Sequence, residues 1–454
     1  MGRFGWVYFG AGLLAVLTAR PYAGSWNDGS RLATVECLVD QHTWAIDDSI
    51  YVVPSKAARL PYGENTLAAQ NGTLDKLLID GRFYSDKSPV PACLMAGVYQ
   101  IWRWAGGPSA AERPDWFARL LTWVFATVPY LLAVVGITWI TRHVAVPTPW
   151  DVVLTASFAF GSLALPYAQH VNNHVLLLAA AVGVCEAYLR PGPLTIRRAA
   201  WLGLLVGFGY TIDLGAGPPL AVAVTGLVLW RSREPGGSLW IRVLAYVAAT
   251  IPFIALHHAL TYAIAGTIGP ANAQPAYLDW PGSPFTGPNM TGGWNHPSLA
   301  KAGLYALDLL FGKKGFLLFS PPLLLAFLVL PWLLTRPHPE RPVLVAMTVW
   351  ALATWLLYAA TSRNLSGSNL SIRWFVPLLA PGYLVLAVLA RDVPSWRRDI
   401  AVLAASGFVL TGELVWRGPW YGRIPTLYWP VVALMLIAWG VVVAQRLRRR
   451  NRSR

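Results

Sequence analysis

Apolar residues run along this chain in blocks about as long as a membrane span, separated by short polar turns. A helix crossing the hydrocarbon core needs about 20 mostly apolar residues, because no water is present there to satisfy a free backbone amide. Such blocks fall near residues 4–20, 119–141, 150–167, 172–190, 199–213, 215–230, 242–265, 314–334, 342–360, 372–390, 399–416 and 426–445. The pattern predicts an all-α integral membrane protein with about twelve transmembrane helices. One long polar stretch breaks the rhythm, from Trp26-Asn27-Asp28 to Tyr84-Ser85-Asp86-Lys87-Ser88-Pro89.

Composition agrees with that class: of 454 residues, 55% are hydrophobic and only 13% charged, and mean hydropathy is +0.46. No soluble domain, low-complexity linker or internal repeat interrupts the blocks, so residues 1–454 read as one multi-spanning membrane domain. The net charge of +15 would suit nucleic acid were it spread over a basic face. Instead Lys and Arg cluster in short turns: Arg190, Arg197 and Arg198; Arg231, Arg233 and Arg242; Arg336 and Arg341; Arg391, Arg397 and Arg398; and the tail 446–454. Clusters of this kind mark cytoplasmic turns, and nucleic acid is excluded as a partner.

Alternation from those clusters puts the first loop (20–118), the Tyr167–His174 turn, the turn near Asp213, the second large loop (266–313), 361–373 and 416–425 on the outer face of the plasma (inner) membrane. Counting Val90–Trp104 as a span would carry Arg197 and Arg198 outside if the N-terminus is cytoplasmic. That segment is therefore expected to be an interfacial helix within the first outer loop. Pro21 and Tyr22 make a poor cleavage site before Ala23, which favours an uncleaved first helix. Cys37, Cys93 and Cys185 give no disulfide framework.

Chemistry is expected where ionisable groups meet the outer boundary. Asp28 falls within a turn or two of the first span, where apolar surroundings would desolvate a carboxylate and strengthen it as a base. Lys87, Arg373 and the pair Lys313-Lys314 sit at outer boundaries and suit an anion. Gly312 and Gly315 flank the lysine pair in a tight turn, against the usual bias of positive charge toward the inside. His170 and His174 have the i,i+4 spacing of a metal pair but no accompanying carboxylate motif, so they are read as packed or water-facing. Asp213, between two apolar blocks, is costly unless paired or functional. His257 and His258 read as helix-packing residues, while Trp26, Trp280, Trp294 and Trp420 are placed on outer loops to stack on sugar faces.

Several phrases, in order along residues 5–390, resemble bacterial GT-C glycosyltransferases: Asn27-Asp28-Gly-Ser-Arg31-Leu followed by Glu36; Ile79-Asp80-Gly81-Arg82-Phe83-Tyr84-Ser85-Asp86-Lys87-Ser88-Pro89; Val171-Asn172-Asn173-His174; Leu310-Phe311-Gly312-Lys313-Lys314-Gly315-Phe316 leading to Ser320-Pro321; and Arg363-Asn364 with Gly367 and Ile372-Arg373-Trp374. The likeness is to the polyprenyl-phosphate-sugar-dependent relatives of protein mannosyltransferases and aminoarabinose transferases. Departures are Lys87-Ser88-Pro89 where many relatives have Lys-Pro-Pro, Ser371-Ile372-Arg373 in place of a Gly-x-Arg core, and Asn27 where a second acid often precedes the Asp28 position.

The resemblance implies a GT-C bundle supporting an outward cavity into which a lipid-linked sugar enters from the bilayer. It implies inverting transfer to an acceptor hydroxyl on a glycan, lipid or protein. Asp28 would be the general base, and Lys87, Arg373, Asp86, Tyr84, Arg31, Lys313, Lys314, His174, Asn173 and Asn364 would bind substrate. Besides membrane lipids and the polyprenyl-phosphate sugar, no cofactor is assigned. A divalent metal requirement stays open, with no ligand named. The rival class is a lipid or glycan transporter or flippase. Against it, transporters usually carry repeats and midplane charges, whereas the charges here gather at one face.

Overall fold

The computed structural model describes residues 2–53, 71–233, 238–285, 292–367, 369–420 and 423–452, so parts of the 20–118, 266–313 and 416–425 loops and the end of the basic tail lie outside the described residues. Every apolar block predicted from sequence is helical. Six helices among the described residues are long and apolar enough to cross a membrane: Pro114–His143, Leu239–Ala265, Arg341–Thr361, Arg373–Asp392, Pro394–Arg417 and Tyr428–Arg449. Leu299–Phe319 and Pro322–Thr335, bent by 112°, make a seventh if they form one span. Trp150–Gly161 and Asn173–Leu189 are apolar but shorter. Local breaks shorten the predicted blocks. The block at 150–167, for instance, stops at Gly161-Ser162 and resumes as the single turn Ala164–Tyr167.

The most extensive helix–helix contact among the described residues joins Ile196–Ile212 to Leu239–Ala265. Its cause is local: Gly203 and Gly207 lie one turn apart, and a Cβ at either would meet the Tyr246 or Thr250 carbonyl oxygen at 2.2 or 2.7 Å. Small residues at this spacing let two backbones approach, and Thr250 Oγ1 donates to the Gly203 carbonyl at 3.1 Å across the contact.

The polar stretch after the first helix folds as Trp26–Asp40, a two-stranded hairpin and Pro89–Trp104. The hairpin departs from the all-α expectation. Asp80 and Gly81 both take positive φ, which gives a two-residue turn that joins Lys76–Ile79 to Arg82–Ser85 in antiparallel register, Ile79 opposite Arg82 and Lys76 opposite Ser85. Asp-Gly between apolar runs is the sequence signal for such a turn. Pro89–Trp104, expected to be an interfacial helix, is helical and packs against Trp26–Asp40; it is not among the candidate spans.

Within Trp26–Asp40, Glu36 accepts from Ser49 Oγ at 2.5 Å and from the Ile50 amide at 3.2 Å, and burial pushes its carboxyl up to about 7. A folded-state pKa above the unfolded value means that the native protein holds the proton more tightly. The stability Glu36 contributes is therefore present below about pH 4.5 and is lost as pH rises to about 7, a swing on the order of 3 kcal/mol. Glu36→Gln should flatten the dependence of the thermal midpoint on pH between 4.5 and 7. An unchanged slope in the variant would remove Glu36 as its source.

Candidate active site

The hairpin brings Asp75, Ser85, Asp86 and Lys87 to its open end. Ser30, one turn into the Trp26–Asp40 helix, ties that end down: its hydroxyl donates to the Asp75 carbonyl at 2.6 Å and lies 2.6 Å from Ser85 Oγ. Lys87 Nζ donates to Asp75 Oδ2 and Asp86 Oδ2, both at 2.7 Å. Burial holds the Asp86 carboxyl above the usual carboxylate range, with Lys87 pulling it the other way and Asp75 adding to the rise.

These groups form one wall of a cavity of about 430 Å³. Arg31 lines it from one turn along the Trp26–Asp40 helix, donating through Nε to Asn27 Oδ1 at 3.5 Å, and Arg373 lines it from the start of the Arg373–Asp392 helix. Among the described residues neither guanidinium makes a salt bridge, and Arg373 Nε is buried without a partner. Burial pulls Arg31 down to about 10; Asp86 and Asp213 oppose this and Arg373 adds to it, so Arg31 stays charged at neutral pH. The Arg373 guanidinium lies 5.5 Å over the ring of Trp420, which also meets His170 and Tyr167 edge-on.

Asp213, at the end of Ile196–Ile212, lines the same cavity. Its Oδ1 accepts from Tyr358 OH at 2.8 Å and from the Gly215 and Ala216 amides at 2.9 and 3.1 Å, and its Oδ2 accepts from Asn173 Nδ2 at 3.1 Å. His174 Nδ1 is 3.4 Å from Oδ2, in ion-pair range but without hydrogen-bond geometry, and Asn173 Oδ1 is buried without a partner. Tyr358 stacks on Trp374, centroids 4.3 Å apart and 4° from parallel.

Of the residues expected at the site, Arg31, Asp86, Lys87, Asn173, His174, Asn364 and Arg373 line this cavity. Asp28, Tyr84, Lys313 and Lys314 do not. The Asp28 carboxylate closes a capping box: it accepts from the Gly24 and Ser25 amides at 2.7 Å each and from Ser25 Oγ, and it faces His170 Nδ1 at 3.1 Å. Tyr84 packs with Leu77, Ile79, Ala265 and Leu278 on a separate small core. Lys314 donates to the Gly367 carbonyl at 3.1 Å, and Lys313 is exposed. His170 and His174 face different carboxylates, Asp28 and Asp213. Of the four tryptophans, Trp280 is buried against Phe83 and Lys76, and Trp294 is exposed. Asp75 and Tyr358 were not singled out as cavity groups from the sequence; of His257 and His258, read as packing residues of which one could face a cavity, His257 lines it one turn before Thr261, its Nδ1 3.1 Å from Ser88 Oγ. The Asp-Gly hairpin signal would have paired Asp75 with Asp86.

No protein-family model and no curated protein matches the chain. Among solved structures, ArnT from Cupriavidus metallidurans in the apo state superposes with a TM-score of 0.52 at 13% identity, over 97% of this chain and 76% of that one. The fold is of the GT-C type. The same ArnT bound to undecaprenyl phosphate gives a TM-score of 0.49 at 14% identity, over the same shares of 97% and 76%. The Archaeoglobus fulgidus oligosaccharyltransferase in complex with Zn and sulfate gives 0.44 at 14% identity, over 90% of this chain and 53% of that one, so this chain spans about half its length. At these identities the likeness carries the architecture, and apo ArnT carries it alone. Within this GT-C fold the cavity lies between the polar stretch after the first helix and the turns that follow the later apolar helices.

Proposed function

We propose that this chain is an inverting glycosyltransferase that moves a sugar from a polyprenyl-phosphate donor to an acceptor hydroxyl at the outer face of the membrane. The observation that carries the reading is the pair of guanidiniums, Arg31 and Arg373, which line one cavity with the Asp75–Lys87–Asp86 cluster and, among the described residues, form no salt bridge. Two fixed cations suit a phosphate that gains charge as it leaves, and arginine offers it bidentate contact. Apo ArnT shares the fold, and ArnT has been captured with undecaprenyl phosphate. The clustering of Lys and Arg in the opposite turns supports the outward orientation.

In the proposed step the acceptor oxygen attacks the anomeric carbon and a carboxylate takes its proton. The bond from that carbon to the phosphate oxygen breaks, and the lipid phosphate departs against Arg31 and Arg373 with inversion at the sugar. Asp86 is the favoured base, since it lines the cavity and burial raises its basicity. Asp28 as base is the second reading, because its neighbours Asn27 and Arg31 both line the cavity. Lys87, expected from sequence to touch the phosphate, spends two of its donors on Asp75 and Asp86, so the phosphate falls to the arginines. Glycan, lipid and protein hydroxyls all remain acceptors of the required chemistry.

Incubating the purified protein with a panel of polyprenyl-phosphate sugars should release free lipid phosphate; lipid movement across a vesicle without release would mean a transporter. Trp420 supplies a graded check on the phosphate site. Trp420→Ala should raise the donor KM about tenfold with little change in kcat, the scale of a lost cation–π contact, while Trp420→Phe recovers most of it. Equal loss in both variants would mean that the ring acts through packing alone.

A further inference from the structure

The carboxylates of this cavity do not suit a divalent ion. Asp213 spends its oxygens on Tyr358, Asn173 and two backbone amides. Asp75 and Asp86 present one oxygen each to a common point, which is how a divalent cation is held at roughly 2.0–2.6 Å from oxygen ligands. That point is the ammonium of Lys87, 2.7 Å from each, with the three side chains 11–13% exposed. Among the described residues no group of three His, Cys, Asp or Glu gathers around any other centre. Two carboxylates in so dry a place repel unless a cation lies between them, and one ammonium leaves the cluster at a net charge of −1.

We propose that Lys87 is a built-in counter-cation: it holds the position between Asp75 and Asp86 that a divalent ion takes in metal-dependent carboxylate sites, and transfer by this chain needs no divalent metal. The lysine has three N–H donors and uses two on the carboxylates, which leaves the third for a hydroxyl oxygen in the cavity. Unlike a metal ion, it cannot be stripped by a chelator. Removing the side chain leaves two buried carboxylates with no cation between them, so the smallest change that empties the position also creates a cation site.

The statement about transfer rests on the function proposed above, whereas the statement about the site is tested without it. The purified full-length protein in detergent, treated with EDTA and dialysed, is titrated with Mn²⁺ while the free-ion signal is followed by electron paramagnetic resonance. Wild type and Lys87→Arg should leave the signal unbound. Lys87→Ala should capture Mn²⁺, and Asp75→Asn or Asp86→Asn added to it should abolish the capture. Lys87→Met replaces the alanine variant if that one elutes as aggregate. In the lipid-phosphate release assay, EDTA should leave wild type unchanged, while Lys87→Ala should lose turnover and regain part of it with Mn²⁺. Mn²⁺ captured by wild type and lost in Asp75→Asn, no capture by either lysine variant, or wild-type turnover abolished by EDTA and restored by metal would each overturn the proposal. If wild type releases lipid phosphate from no donor, the transfer reading fails and the resonance titration still decides the role of Lys87.

Discussion

Arg373→Ala should lower kcat/KM for the polyprenyl-phosphate donor by about two to three orders of magnitude, the scale seen when one preorganised stabiliser of a developing anion is removed. The reason is that, among the described residues, no carboxylate pairs with it. A guanidinium held by an acid would lose part of its field to that acid, but among the described residues the Arg373 guanidinium lies over the Trp420 ring and forms no salt bridge, while its backbone amide donates to Ser366 Oγ at 3.1 Å. Its charge is left for the cavity. Arg373→Lys should recover part of the loss, since a lysine restores the charge but not the two-pronged contact. Arg31→Ala should act in the same direction. Steady-state release of lipid phosphate, measured on protein that elutes as a single folded species, reads all three. Unchanged kcat/KM in Arg373→Ala would remove the phosphate site from this part of the cavity.

Asp86→Asn should cost about two to four orders of magnitude in kcat, the usual contribution of a general base, with a modest change in donor KM. Asparagine keeps the shape and an acceptor for Lys87, so folding should survive. Asp28→Asn should behave differently. The Asp28 carboxylate receives the Gly24 and Ser25 amides and faces His170, and its loss removes a capping box worth about 1 kcal/mol together with that contact. A lower thermal midpoint with most of the specific activity retained is the expected outcome. The reverse pattern, full stability and no turnover in Asp28→Asn with an active Asp86→Asn, would hand the base role to Asp28. The two variants therefore decide between the two carboxylates in a single experiment.

The apolar rhythm made the helices readable because burial in lipid leaves no other way to satisfy the backbone. Lys87 and Arg373 were readable as cavity groups because charges at the edge of apolar blocks have few other reasons to be there, whereas Arg31 and Asp86 were pointed to by the family resemblance of their phrases alone. What the chain did not reveal was pairing. Whether Asp28 faces the cavity or caps its own helix depends on the Ser25 hydroxyl three residues earlier, and a capping box and a catalytic acid look alike in one dimension. Asp75 was hidden for a related reason. Its meeting with Lys87 is made by the hairpin, and an all-helical reading of the polar stretch leaves the two without a common end. The basic Gly-Lys-Lys-Gly turn lies off the cavity, where Lys314 donates to a main-chain carbonyl.

The hairpin separates its two ends by function. Asp75 and Asp86 stand at the open end, fastened by Ser30, while Asp80, Gly81 and Arg82 at the tip are exposed. Length added at the tip would not disturb the register at the base, so this is the place in the polar stretch where the chain tolerates graft or growth. An epitope, a fluorophore or a recruited acceptor-binding module attached there would sit one short ribbon away from the chemistry and leave it untouched.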